Sequence, residues 1–239
     1  RPFQLLPAHA CHVKLGGKFA DFGGWRRPEY YPRGNETEAQ TLAREVNAVR
    51  GAVGILDYSP LGKLEVRGPD AREFLNRLYV NNIKTLKVGA ARYGLMLNDK
   101  GIVVDDGVMV CLAEDHFLLH TTSGGATTMV LALEEWLQCE WLDLQVLVTN
   151  STTQWATLTL SGPRARALLQ TLDSDIHFDR EAFPHMQFRQ GTLLGVPTRI
   201  LRASFTGEVS YEISVPARYG ESLWNTLMEA GSDYGITPF

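Results

Sequence analysis

The chain has 239 residues, 44% of them hydrophobic and 21% charged, with a formal net charge of −4 and a pI near 5.9. This is ordinary globular usage, enough for one large domain or two small ones. The basic residues are dispersed among acidic ones, which argues against a nucleic-acid partner, and no run of about 18 apolar residues offers a helical membrane span.

The first residues, Arg1-Pro2-Phe3-Gln4, lack an initiator Met and a charged-then-apolar leader, and read as the cut end of something longer. Cys11, Cys111 and Cys139 lie far apart with no Cys-x-x-Cys spacing. That argues against a disulfide framework and a zinc site, and fits a reduced, cytoplasmic setting.

Residues 1–36 are rich in Gly, Pro, His and aromatics without a clear period, and read as an irregular arm anchored by Trp25 and Tyr30-Tyr31. From Thr37, a plausible N-cap, the recurrence of Leu42, Val46 and Val49 predicts a helix. Gly54-Ile55-Leu56 opens an extended stretch running through Leu64-Glu65-Val66. Phe74, Leu75 and Leu78 predict a short amphipathic helix over 70–79. Strands follow at 91–98, 102–110 and 116–122, the first two joined by the turn Asn98-Asp99-Lys100-Gly101. After Ser123-Gly124-Gly125 comes a helix carrying Met129, Leu133, Trp136 and Leu137 on one face.

A second unit begins near residue 153 and echoes the first. Gly68-Pro-x-Ala-Arg-x-x-Leu-x-x-Leu78 recurs as Gly162-Pro-x-Ala-Arg-x-x-Leu-x-x-Leu172, each copy following a β-rich run and opening a helix. The reading is an internal duplication rather than a solenoid. The fold class is α+β with mostly antiparallel sheets, divided into the arm 1–36, a first unit 37–152 and a second, 153–239.

Several groups are candidates for chemistry. Asp105 and Asp106 sit together in an apolar strand, where burial is costly unless each is paired. Alternation sends them to opposite faces, so that one can face a cavity while the other is bound structurally. By composition alone, a satisfied structural carboxylate is the simpler account. Glu208 and Glu212 are an even number apart, but Gly207 marks a turn, and only Glu212 lies within the apolar run ending at Val215. A carboxylate there suits a guanidine-like edge such as a pterin, and suits a half-exposed strand equally. The histidine pairs His9/His12 and His116/His120 lack a confident helix and a third ligand, so no metal site is assigned. There is no Gly-x-Ser-x-Gly elbow, and Ser123-Gly124-Gly125 lacks a dinucleotide or P-loop fingerprint, which leaves it a helix start.

Taken together, these residues resemble the aminomethyltransferase (glycine-cleavage T-protein) superfamily, and within it the sarcosine oxidase α-subunit branch, from about Trp25 to the last residue. The marks are Arg44-Glu45 with Arg50 and Val53-Gly54-Ile55; Leu61-Gly62-Lys63; Gly68-Pro-Asp-Ala with Glu73-Phe-Leu-Asn-Arg; Arg92-Tyr-Gly-Leu-Met; Asp105-Asp106-Gly-Val; Thr121-Thr122-Ser123-Gly-Gly; Glu135-Trp-Leu-Gln; Ser204-Phe-Thr-Gly-Glu208 with Tyr211-Glu212-Ile; and Tyr234-Gly-Ile-Thr-Pro.

The resemblance implies a tetrahydrofolate-binding, one-carbon-transfer domain that captures the imine of sarcosine oxidation as 5,10-methylenetetrahydrofolate. FAD, FMN and NAD would belong to other regions or partner subunits of a sarcosine oxidase-type assembly. By motif, Asp106 is the carboxylate beside the reactive folate nitrogen, Glu212 binds the pterin edge and Tyr93 lines the pocket. Leu61, Thr122 and Phe205 stand where the classical T-protein has Met, Asn and Tyr, which favours the oxidase branch. The resemblance also implies more of this domain and a small barrel beyond Phe239. The rival readings are a stand-alone aminomethyltransferase-like protein and a non-catalytic folate-binding or regulatory module.

Overall fold

The computed structural model describes residues 3–239. The N-terminal segment is ordered rather than irregular. It holds β1 (Gln4–Leu5), a helix α1 (His9–Lys14), β2 (Lys18–Phe22) and β3 (Trp25–Tyr30), with the strands forming a small sheet in the order β1-β3-β2. The β2–β3 hairpin turns at Gly23 and Gly24, whose φ angles of 59° and 81° are those glycine adopts at least cost.

Helix α2 (Glu38–Gly51) begins at Thr37, where the Thr37 hydroxyl and the Gln40 side chain close a capping box. Arg44 and Glu45 of α2 hold the arm. Arg44 donates to the Tyr31 carbonyl at 2.6 Å, and the buried Glu45 accepts from the Tyr31 amide at 2.7 Å. Strand β4 (Val53–Asp57) follows and ends where Asp57 Oδ1 accepts the Ser59 amide at 3.0 Å, a local turn that competes with continued strand. The stretch from Gly54 to Val66 is therefore two strands in two different sheets.

The next elements are β5 (Gly62–Arg67), α3 (Ala71–Leu78), β6 (Ala91–Leu97), β7 (Val103–Ala113), β8 (His116–Thr121), α4 (Ala126–Glu135) with a π-helical turn at Trp136–Glu140, and β9 (Leu147–Asn150). They form a five-stranded sheet ordered β6-β7-β8-β5-β9. Its core includes Leu64, Val66, Phe74, Leu75, Met109, Phe117, Leu119 and Leu133. Then come β10 (Trp155–Ser161), α5 (Ala165–Leu169), β11 (Gln187–Leu193), β12 (Val196–Arg202), β13 (Ser210–Pro216), α6 (Gly220–Ala230) and β14 (Ile236–Pro238). The second sheet is ordered β11-β12-β13-β10-β4-β14, with β14 parallel to β4 and the other pairs antiparallel. The architecture is α+β, with antiparallel and mixed sheets.

Two compact units result, residues 1–59 with 153–239 and residues 60–152. The arm and residues 37–59 thus lie with the second sequence copy and not the first. The reason is β4, whose Ile55 pairs with Leu160 of β10.

The duplication extends through the whole frame. In each copy a strand (β5, β10) leads into a helix (α3, α5) and three antiparallel strands, the last of which returns beside the first. Gly68 and Gly162 turn both strands into their helices at φ 136° and 135°. Gly68 N–H donates to Asp115 O at 2.9 Å and Gly162 N–H to Val209 O at 2.8 Å, each acceptor immediately preceding the returning strand. A Cβ would lie 2.0 Å from Gln145 O at Gly68 and 2.3 Å from Ala52 O at Gly162, so no other residue fits. The flanking strands are exchanged. β4, which precedes the first copy in sequence, pairs with β10, whereas β9, which precedes the second, pairs with β5.

Candidate functional site

The six residues singled out in the sequence divide between the units. Leu61, Tyr93, Asp106 and Thr122 lie in residues 60–152, and Phe205 and Glu212 lie in the other unit.

In the five-stranded unit, β6 and β7 pair with Leu95 opposite Asp106 and Met96 opposite Asp105. Alternation along β7 separates the two aspartates. Asp105 is buried, and its Oδ1 accepts from the Thr122 hydroxyl at 2.7 Å and the Thr122 amide at 3.3 Å. A Cβ on Gly125 would meet that carboxylate at 2.9 Å, so the glycine before α4 leaves room for it at the helix N-terminus. Burial nevertheless outweighs these bonds and raises the Asp105 pKa above its usual 3.8.

Asp106, half-buried, accepts from the Tyr93 hydroxyl at 2.5 Å. The phenol's pKa is raised, first by that hydrogen bond and then by desolvation and the two aspartate charges. The Tyr93 side chain is 49% exposed, so the pair presents an aromatic face and a carboxylate together. Such a pair can hold a flat heterocycle and accept or relay a proton. Thr122 serves Asp105, not this pair, and Leu61 supplies a carbonyl to Lys63 Nζ at 2.9 Å.

In the other unit, Glu212 is half-buried on β13, between Thr159 of β10 and Leu201 of β12. The phenol of Tyr58 is raised mainly by burial and secondarily by the Glu212 charge. Phe205 packs edge-on to Tyr58 with ring centroids 6.3 Å apart, yet remains 84% exposed. It lines a cavity of about 350 Å³ together with Leu42, Val46, Val49 and Arg50. Glu208 is engaged structurally, with Arg50 Nη1 at 2.8 Å.

One buried constellation has no counterpart in the sequence reading. His12 Nε2 lies 3.0 Å from Asp57 Oδ2, and His12 Nδ1 lies 2.9 Å from the Tyr31 hydroxyl. All three residues are buried, and the imidazole meets Trp224 edge-on at 4.5 Å. It ties the arm to β4 and α6. The available signal was Asp57 closing the apolar run Val53-Gly54-Ile55-Leu56, the same kind of context that drew attention to Asp105. His9 lies instead against the Phe19 ring, and His116 Nε2 lies 2.9 Å from Glu65. Among the described residues, no helix is long and apolar enough to cross a membrane.

Residues 8–239 match the GCVT N-terminal domain family. The chain is 47% identical over its whole length to a sarcosine oxidase subunit alpha from Corynebacterium sp. (strain U-96), of which it spans 25%. It is 32% identical over 98% of its length to an aminomethyltransferase from Chloroherpeton thalassium, of which it spans 61%. The solved glycine cleavage system aminomethyltransferase T from Bartonella henselae superposes on 99% of this chain and 59% of its own, with a TM-score of 0.82 at 28% identity.

Proposed function

The chain belongs to the family of GCVT N-terminal domains, and from that premise we propose that it binds a reduced folate and accepts a one-carbon unit within a larger sarcosine oxidase-type protein. The observation that carries this reading is the Tyr93–Asp106 pair, a half-exposed ring hydrogen-bonded at 2.5 Å to a carboxylate on the same sheet face. Whole-length identity of 47% to a sarcosine oxidase α subunit supports the oxidase branch over the stand-alone aminomethyltransferases. Partner subunits of that type, and flavin and nicotinamide held outside this chain, go with the same proposal.

Tetrahydrofolate, when bound, would supply two amine nitrogens that bond the imine carbon in turn, while the bond from that carbon to the glycine nitrogen breaks and glycine leaves, giving 5,10-methylenetetrahydrofolate. In the five-stranded unit, Asp106 holds the proton released at the attacking nitrogen, and its negative charge stabilises positive charge developing beside it. Tyr93 orients the carboxylate through its hydroxyl and offers its ring to the ligand. Asp105, bound to Thr122, keeps β7 against the start of α4 and so fixes where Asp106 points. In the other unit, Glu212 is a carboxylate on a strand interior, suited to accept two N–H bonds from the pterin's amidine-like edge. Leu61 in the five-stranded unit and Phe205 in the other are apolar, and each would line its own unit's surface rather than polarise it.

Isothermal titration of folinic acid into the chain and its variants tests the reading. Glu212→Ala is expected to abolish binding, whereas Asp106→Asn retains it within a few-fold. Binding undiminished in Glu212→Ala would overturn the pterin assignment. In the assembled oxidase, Asp106→Asn is expected to lower the yield of methylenetetrahydrofolate relative to free formaldehyde, and an unchanged product ratio would remove Asp106 from the chemistry.

A further inference from the structure

The duplication provides an internal control for the arginine that follows each Gly-Pro-x-Ala turn. In the first copy Arg72 donates from Nη1 to Ile83 O at 3.0 Å and to Leu86 O at 2.7 Å, and lies over the Phe117 ring at 5.0 Å. Its charge is met by Glu114 at 2.7 Å, and Cys111 Sγ lies 3.5 Å away. In the second copy Arg166 occupies the same place. It donates to Phe178 O and lies 5.7 Å from the Tyr211 ring, which stands opposite Leu160 as Phe117 stands opposite Val66.

The surroundings differ in charge. The β12–β13 register, with Leu201 opposite Glu212, brings Arg202 beside Tyr211, the place Cys111 takes opposite Phe117. A thiol is thus replaced by a second guanidinium. Arg202 is half-buried and donates to Phe183 O at 2.7 Å, and its pKa is lowered by desolvation, opposed by Tyr211, and lowered further by the charges of Arg166 and Arg180. Arg189 lies over the Phe183 ring at 5.2 Å and adds a further cation. None of these arginines makes an ion pair among the described residues. Arg166 and Arg202 each donate one hydrogen bond there, which leaves most of their five N–H donors unused. Tyr211 is fully buried, and its hydroxyl has no hydrogen-bond partner among the described residues.

We propose that Arg166, Arg202 and the Tyr211 hydroxyl form a binding site for a single oxyanion, a carboxylate or phosphate group. Like charges held close in a partly desolvated place are unfavourable without a counter-charge. Paired guanidiniums with spare N–H groups match the oxygens of either anion, and the phenol adds a third donor. The first copy needs no such ligand, because Glu114 already supplies the carboxylate.

The test titrates the chain, at constant ionic strength set with chloride, with inorganic phosphate in one arm and acetate in the other. Arginine Nε–H resonances and thermal unfolding are followed together. A saturable shift of the Arg166 and Arg202 resonances with a rise in Tm is expected, and the arm that produces it identifies the anion. Arg202→Cys, which installs the first copy's residue, should weaken the apparent affinity at least tenfold. Tyr211→Phe should weaken it several-fold while leaving the fold intact. Absence of a saturable shift in both arms of the wild-type titration, or equal affinity in wild type and Tyr211→Phe, would overturn the site.

Discussion

The two copies of the repeated unit share a frame and differ in chemistry. Gly68 and Gly162 have the same φ, the same hydrogen bond to the start of a returning strand and the same tight approach to a carbonyl just ahead of the flanking strand. Arg72 and Arg166 each bind a carbonyl beyond their helix and lie beside an aromatic ring. The groups assigned to function have no such counterparts. By register, the place of Glu212 on β13 is taken by Leu118 on β8, since Thr159 and Glu65 face them equivalently. Residues the copies share hold the frame, and the difference in ligand chemistry turns on those they do not share, as where Arg202 replaces Cys111 beside the shared arginine.

The strongest test of that comparison lies at the two glycines. Gly68→Ala and Gly162→Ala should each cost about 3 kcal/mol or more, since each combines a left-handed φ with a backbone clash. Urea unfolding of both variants checks this, and tolerance of one but not the other would break the equivalence. The arginines should separate the copies. Arg72→Met removes bonds to two carbonyls and a carboxylate and is expected to cost about 2 kcal/mol, against about 1 kcal/mol for Arg166→Met. Equal losses would mean that the charge difference carries no energetic weight.

Smaller effects should appear in the pH dependence, with opposite signs in the two units. Asp105 has a folded-state pKa above 3.8 because it is buried. Its neutral form favours folding, and that contribution fades as pH rises through the raised value. Asp105→Asn should remove this slope and leave neutral-pH stability unchanged or slightly higher. Glu36 behaves in reverse. Its hydrogen bonds to the Arg44 side chain bring its pKa down to about 2. The stability it contributes is present above its ordinary 4.5 and is lost as pH falls toward 2, a limb that Glu36→Gln should flatten. Thermal unfolding from pH 2 to 7 resolves both.

Much of the frame was legible because it rests on local rules. The helix start at Thr37, the strands around Asn98–Gly101 and the paired Gly-Pro-x-Ala-Arg turns all follow from short-range chemistry. The alternation argument likewise separates Asp105 from Asp106. What was not legible depends on distant pairing. The arm looks irregular because its short strands carry Pro28 and Gly–Gly punctuation, yet Tyr31 and His12 lock it to Glu45 and Asp57. The bond from the Thr122 hydroxyl to Asp105 depends on β7 and β8 lying side by side, which the local sequence around Thr122 does not display. Arg202 gains meaning only from the β12–β13 register, which the sequence does not display.

The exchange of β4 and β9 has a consequence for how the chain is made. Residues 60–152 are contiguous and include β9, so the five-stranded unit can assemble as soon as it clears the ribosome. β4 emerges earlier but finds its partner only when β10 follows, a wait of roughly 5–20 s at ordinary rates of synthesis. Throughout that interval the apolar segment Val53-Gly54-Ile55-Leu56 lacks its strand partner and stays open to pairing with another chain. Nascent-chain quality control would meet this protein there, and slowed translation between residues 60 and 152 would lengthen the exposure.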